Sequence, residues 1–273
     1  MAPGSRHSLQ ESLEYARYHS GRLRWLNKDV NCGFKLRRFA PWAWLICVWV
    51  AGAQRHSQLV TPTPLPPGST LVIGFLGGYD RWDDEHRSIR QLVLRLRERP
   101  GVFAESISNH HRALALKLIR QALDANHDGQ LDPEEKVNAR VILLGQSWGG
   151  AAAIATAHDL QSMGVPVLLT VQVDSVGVHD DVIPANVRMA VNFYQHDPFT
   201  AIHGRRTIRA ADPSRTLIAG NFESSYVFRS MDESNASKAR QVFGGSHTKM
   251  ELDPIVWGRV EQYISDAIAR RQP

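Results

Sequence analysis

Cysteine is almost missing from this 273-residue chain: Cys32 and Cys47 are the only two, and both lie within the first 53 residues. The remaining body therefore has no disulfide framework and no thiol to serve as nucleophile or metal ligand, so it must hold itself by core packing or by a metal with other ligands. A charge surplus is missing from the same region. The whole chain carries a net charge of +5, but residues 54–273 hold 24 basic and 24 acidic side chains. The surplus belongs to residues 1–53, no basic stripe is left, and nucleic acid is excluded as a partner. A membrane-length apolar run is missing too. The longest, Phe39 to Val50, falls short of the roughly 20 residues that a spanning helix needs.

That run has a different grammar. Lys35, Arg37 and Arg38 precede it and Ala51-Gly52-Ala53 follow it, which is the basic, apolar, small-residue order of a signal peptide ending at Ala53. The expectation is a secreted or periplasmic protein, with a membrane anchor formed by an uncleaved leader as the alternative. Bulky Ile46 before Cys47 argues against a lipidation box. The polar stretch 1–34 is long for a prefix and suggests that translation starts nearer Val30 or Leu36. Residues 54–69, rich in Pro, Thr and Ser, read as a linker, and 70–273 as one domain.

Within 70–273, compact apolar runs alternate with helical periodicity. "TLVIGF" (Thr70–Phe75), "VFAESI", "RVILL", "VPVLLTVQV" (Val165–Val173) and "VRMAVNFY" (Val187–Tyr194) read as strands. Ile89, Leu92, Val93 and Leu96 fall at helical spacing, and Arg112–Leu123 reads as a helix. A last helix starts with Asp253 as N-cap and Pro254 at its first position, and carries Val256, Val260 and Ile264 on one face. Strands without polar alternation, separated by helices, indicate an α/β fold with a mostly parallel sheet covered on both sides.

One strand runs into "GQSWGG" (Gly145–Gly150). A strand that turns sharply through G-x-S-x-G into a helix presents its serine at the sheet edge, and side chains at Gly145 and Gly149 would collide with the neighbouring element. At this point the chain resembles the α/β-hydrolase superfamily of esterases, lipases and thioesterases, over roughly Thr70 to the C-terminus. The resemblance implies Ser147 as nucleophile, then an acid after a later strand, then a histidine before the last helix. Asp197 and His247 suit those places; Asp174, one strand earlier, is the alternative acid. His158, His196 and His203 are read as structural or surface residues. The resemblance further implies an oxyanion hole from the backbone N–H of Trp148 and that of Leu76 or Gly77, although no His-Gly dipeptide precedes this loop. Gln146 stands where many relatives have histidine and is expected to matter little. With little room for a large cap domain, only segments around Phe199–Ala211 and Asn221–Gly244 are expected to cover the site.

A second motif is "DANHDGQLDPEE". Asp124, Asn126, Asp128, Gln130, Asp132 and Glu135 occupy places 1, 3, 5, 7, 9 and 12 of an EF-hand loop, with Gly129 at the sharp turn. This spacing predicts one structural Ca2+, bracing a helix against the Ser147 strand. The function expected is hydrolysis of a small-molecule or lipid ester or thioester. An acyltransferase on the same triad and a non-catalytic, calcium-stabilised binding module are the alternatives. Oligomeric state is not legible.

Overall fold

In the computed structural model, residues 54–270 are described except 199, 235, 237–239 and 241–243. The signal peptide expected over 1–53 lies outside the described residues, as does Phe199. Strand β1 (Thr70–Leu76) leads through helix α1 (Ser88–Arg97) to β2 (Val102–Ser108). A 3-10 turn (Asn109–His111), α2 (Arg112–Leu123) and the short α3 (Pro133–Val137) then lead to β3 (Val141–Gln146). Helix α4 (Trp148–Ser162), β4 (Val167–Val173), β5 (Val182–Ile183) and β6 (Val187–Tyr194) follow. The chain closes with β7 (Arg209–Ala210), β8 (Leu217–Glu223), α5 (Gly245–Leu252) and α6 (Pro254–Ala269).

Six of these strands form one sheet in the order β2-β1-β3-β4-β6-β8, and every neighbouring pair is parallel. Strand alternation sorts the core onto two faces. Leu71, Ile73, Phe75, Val141 and Leu143 face Leu118 and Ile119 of α2 and Ala153 and Leu160 of α4. Val72, Leu76, Ile142 and Leu144 face Leu92, Val93 and Leu96 of α1 and Val256, Val260 and Ile264 of α6. Burial on both faces is why the strands read as unbroken apolar runs. The Asp253 side chain accepts from Ile255 N–H and caps α6 as its sequence implied.

The short α3, β5 and β7 were not visible in the pattern, and neither were two longer elements that frame the site. Edge strand β8 is only partly buried along its length and its register against β6 shifts between Ala190 and Val191; Asn221–Glu223 belongs to the sheet rather than to a covering segment. Helix α5 places His247 inside a helix, one element before the last. The stretch 54–69 is also not a free tether. Val60 and Thr61 donate backbone N–H groups to Glu105 at 2.7 and 2.9 Å, and Leu65 N–H donates to the Ala122 carbonyl. Apolar Leu59 and Leu65 pack on the α2/α4 face of the core.

From β1 the chain crosses to β2 on one side, whereas from β3 it crosses to β4 on the other. The crevice beyond the carboxyl ends of β1 and β3 is thus the topological switch point, where parallel sheets bind ligands.

Candidate active site

Ser147 sits in that crevice with φ 56° and ψ −127°, a conformation most residues avoid and one held only by firm surroundings. Its N–H donates to the Val173 carbonyl, and its own carbonyl accepts from Gly150. The turn is tight enough to exclude side chains: a Cβ on Gly145 would lie 2.0 Å from the Gly149 oxygen, and one on Gly149 would lie 2.0 Å from the Phe75 oxygen. This is the collision anticipated from the motif. Trp148 opens α4, so its N–H is one of the unpaired donors at that helix start.

Opposite the elbow, the loop after β1 runs against the serine. A Cβ on Gly77 would lie 2.8 Å from Ser147 Cβ, so only glycine lets the backbone approach this closely. Asn109 fixes the loop by donating from Nδ2 to the Leu76 carbonyl (3.0 Å) and the Gly78 carbonyl (2.6 Å). The three backbones expected to form an oxyanion hole, Leu76, Gly77 and Trp148, are therefore brought together around Ser147.

His247 is buried on α5 and its Nδ1 lies 2.6 Å from Asp174 Oδ2. An ionised carboxylate only accepts, so Nδ1 carries the proton and Nε2 presents its lone pair toward the crevice. Asp174, fully buried with φ 46° at the end of β4, takes three further donors. Gly204 N–H (2.8 Å) and Gln195 N–H (3.2 Å) reach Oδ1, and Gln195 Nε2 (2.9 Å) reaches Oδ2.

The first-choice acid of the sequence, Asp197, is corrected by this geometry. Its carboxylate does not meet His247; it accepts from Ser225 Oγ (2.7 Å) and Tyr226 N–H (2.6 Å). Burial raises its pKa, but hydrogen bonds from Ser246, Ser225 and Tyr226 outweigh this and hold it below the usual carboxylate value. The physical reason is turn geometry. The chain leaving β6 meets the Asp174 carboxylate with Gln195, whose Oε1 accepts the Asp197 N–H (3.1 Å), while Asp197 turns toward the segment after β8. Asp174 has the histidine because β4 ends beside β3.

Gln146 also differs from expectation. It is buried, and its Nε2 lies 3.3 Å from His247 Nε2. The amide thus occupies the imidazole lone pair at rest, and among the described residues no hydrogen bond joins Ser147 to His247. Such contacts are often loose before substrate binds. One turn beyond His247, Glu251 pairs with Arg87 (3.2 Å) and with Arg240, which also reaches Asp80 (2.6 Å) in the loop after β1. Burial pushes the Asp80 carboxyl up, against the lowering pull of Arg240. This network ties the histidine helix to the oxyanion-side loop. Gln195, Asn109 and this network carried no motif and were missed from sequence; only their fold neighbours reveal them. The rings of His196 and His203 meet at a tilt of 37°, with centroids 4.3 Å apart, in the loop after β6, and His158 is exposed on α4.

The candidate calcium loop links α2 to α3. Its carboxylates accept backbone N–H groups: Asp124 from Asp128 and Gly129, Asp128 from Gln130, Asp132 from Glu135, and Glu135 from Ala125 and Asp132. The donor set is all oxygen, which suits a hard cation. Among the described residues, however, no three His, Cys, Asp or Glu side chains are gathered as a metal cluster.

The sequence matches no protein-family profile and no curated relative. Solved structures with partial similarity include a cutinase-like protein from Cryptococcus sp., at 13% identity and TM-score 0.41, covering 78% of this chain and 100% of that one. A dienelactone hydrolase from Anabaena variabilis is 13% identical with TM-score 0.37, over 74% and 87% of the two chains. The RedJ thioesterase of Streptomyces coelicolor is 11% identical with TM-score 0.37, over 79% and 100%. At such identities and TM-scores the likeness assigns this chain neither an activity nor a substrate. No helix among the described residues is long and apolar enough to cross a membrane.

Proposed function

We propose that this protein is a serine hydrolase that cleaves carboxylic esters or thioesters through an acyl-Ser147 intermediate. The observation that carries the reading is the buried Asp174–His247 pair at 2.6 Å, set on the same sheet end as a serine held at positive φ. In the reaction, His247 Nε2 takes the Ser147 hydroxyl proton as Oγ attacks the ester carbonyl. The resulting oxyanion is met by backbone N–H groups of Trp148 and of Leu76 or Gly77, and losing one such donor costs about 2.7–4 kcal/mol. His247 then gives its proton to the departing alkoxide or thiolate, leaving acyl-Ser147. Water, deprotonated by the same imidazole, releases the acid and restores the hydroxyl. Asp174 keeps Nδ1 protonated throughout and stabilises the imidazolium. For the attack, the Gln146 amide must yield Nε2 to the Ser147 hydroxyl.

Calcium at Asp124–Glu135 belongs to this reading as a structural ion, supported by the twelve-residue spacing; Asp124, Asn126, Asp128, Gln130, Asp132 and Glu135 would supply its oxygens. Export by the leader ending at Ala53 is supported by the residue order there.

The test is ester hydrolysis by the purified protein and by Ser147→Ala. The variant is expected to fold as the wild type does, judged by circular dichroism, and to lose at least about 10³-fold in kcat. Equal turnover by both proteins would refute the assignment.

A further inference from the structure

The three strands β2, β1 and β3 are neighbours, and the segment leaving each carries one ring. His110 lies in the turn after β2, Tyr79 in the loop after β1, and Trp148 starts α4 after β3. Tyr79 and His110 stack with centroids 5.0 Å apart and planes 24° from parallel. The Trp148 indole stands nearly upright to both, at 81° and 6.0 Å from Tyr79 and 75° and 6.3 Å from His110. Together the rings make a corner with a flat side and an upright wall.

The corner is open to solvent. Tyr79 is 73% exposed and Trp148 44% exposed, neither belongs to a core cluster, and His110 is exposed. A single exposed ring is ordinary, whereas exposed rings gathered into one patch mark a binding surface. The corner is nevertheless built firmly. Asn109, next to His110, holds the Leu76 and Gly78 carbonyls, which locks the Tyr79 loop to the His110 turn. It also adjoins the chemistry: Trp148 follows Ser147 directly, and the Gly77 backbone lies against Ser147 Cβ.

We infer that the Tyr79–His110–Trp148 corner is a substrate subsite for a planar aromatic ring held within a few bonds of the scissile carbonyl. The inference rests on the hydrolase reading above and names its substrate class. An incoming ring gains a stacked contact on one side and an edge-to-face contact on the other, the two arrangements that the ring quadrupole favours. A saturated ring of the same size gains only the burial.

Matched esters separate these terms. Methyl phenylacetate is compared with methyl cyclohexylacetate for the acyl side, and benzyl acetate with cyclohexylmethyl acetate for the alcohol side. Wild type is expected to prefer the aromatic member of at least one pair by about three- to tenfold in kcat/KM. Tyr79→Leu and His110→Ala are expected to bring that ratio close to one, chiefly through KM. Because the ratio is internal to each variant, a partial loss of folded protein does not distort it. A wild-type ratio near one in both pairs, with all four esters hydrolysed, overturns the subsite and leaves the hydrolase reading standing. A ratio that survives in both variants likewise overturns it. Failure of wild type to hydrolyse these esters or ethyl acetate overturns the hydrolase reading itself, and the subsite with it.

Discussion

At the scale of single residues, two aspartates at the ends of the neighbouring strands β4 and β6 do different work because different donors reach them. Asp174 is held by His247, Gln195 and Gly204, whereas Asp197 braces the chain after β8 through Ser225 and Tyr226. Asp197 is thereby a stability residue with a pH signature. Its folded pKa is lowered, so its contribution is present above the unfolded value of about 3.9 and is lost as pH falls through the lower folded value. Asp197→Asn should therefore be less stable than wild type at pH 6, and the gap should narrow toward pH 3. Urea midpoints at the two pH values measure this; a gap that does not change with pH would contradict it. Choosing between these aspartates was beyond the sequence. Both follow an apolar strand, and the deciding fact is which strand end adjoins the histidine helix, a matter of sheet order. Ser147 was legible because the turn needs Gly145 and Gly149 at fixed spacing, and sterics of that kind are written locally. Gln146 and Gln195 were opaque because a buried amide leaves no spacing pattern.

At the scale of elements, the segment from α2 to α3 is where composition and geometry diverge. Its spacing predicts a calcium loop, yet in the structure the carboxylates are spent on backbone N–H groups and on capping: Asp132 and Glu135 form the capping box of α3. Binding of calcium would join the end of α2 to the start of α3, a few residues before β3 delivers Ser147. A cation that binds only the folded state adds about 2.7 kcal/mol at a hundredfold excess over Kd. For a domain of this size that is a rise of about 5–10 °C in Tm. Melting in millimolar calcium against EDTA tests this, with Asp124→Ala and Glu135→Ala expected to abolish the difference. A wild-type melting curve indifferent to calcium would show that the loop is a capped turn and no more. Elements buried on both faces, such as β1, β3, β4 and β6, were readable from their apolar runs. The edge strand β8, half-exposed and with Gly220 and Asn221 in mid-run, carried too weak a pattern.

At the scale of the molecule, every part of the candidate site arrives from the carboxyl end of a parallel strand. Leu76 and Gly77 follow from β1, Ser147 from β3, Asp174 from β4 and Gln195 from β6, while α5 adds His247 from beyond β8. The parallel sheet and the crossover reversal between β1 and β3 explain why these distant stretches meet. The same arrangement makes one comparison decisive. The kcat for ester hydrolysis should fall by about 10⁴ in Asp174→Asn, because an amide at that position leaves His247 in the wrong tautomer. In Asp197→Asn, assayed at a pH where it remains folded, kcat should stay within about tenfold of wild type. The reverse order, with Asp197→Asn inactive and Asp174→Asn active, would contradict the account at its centre.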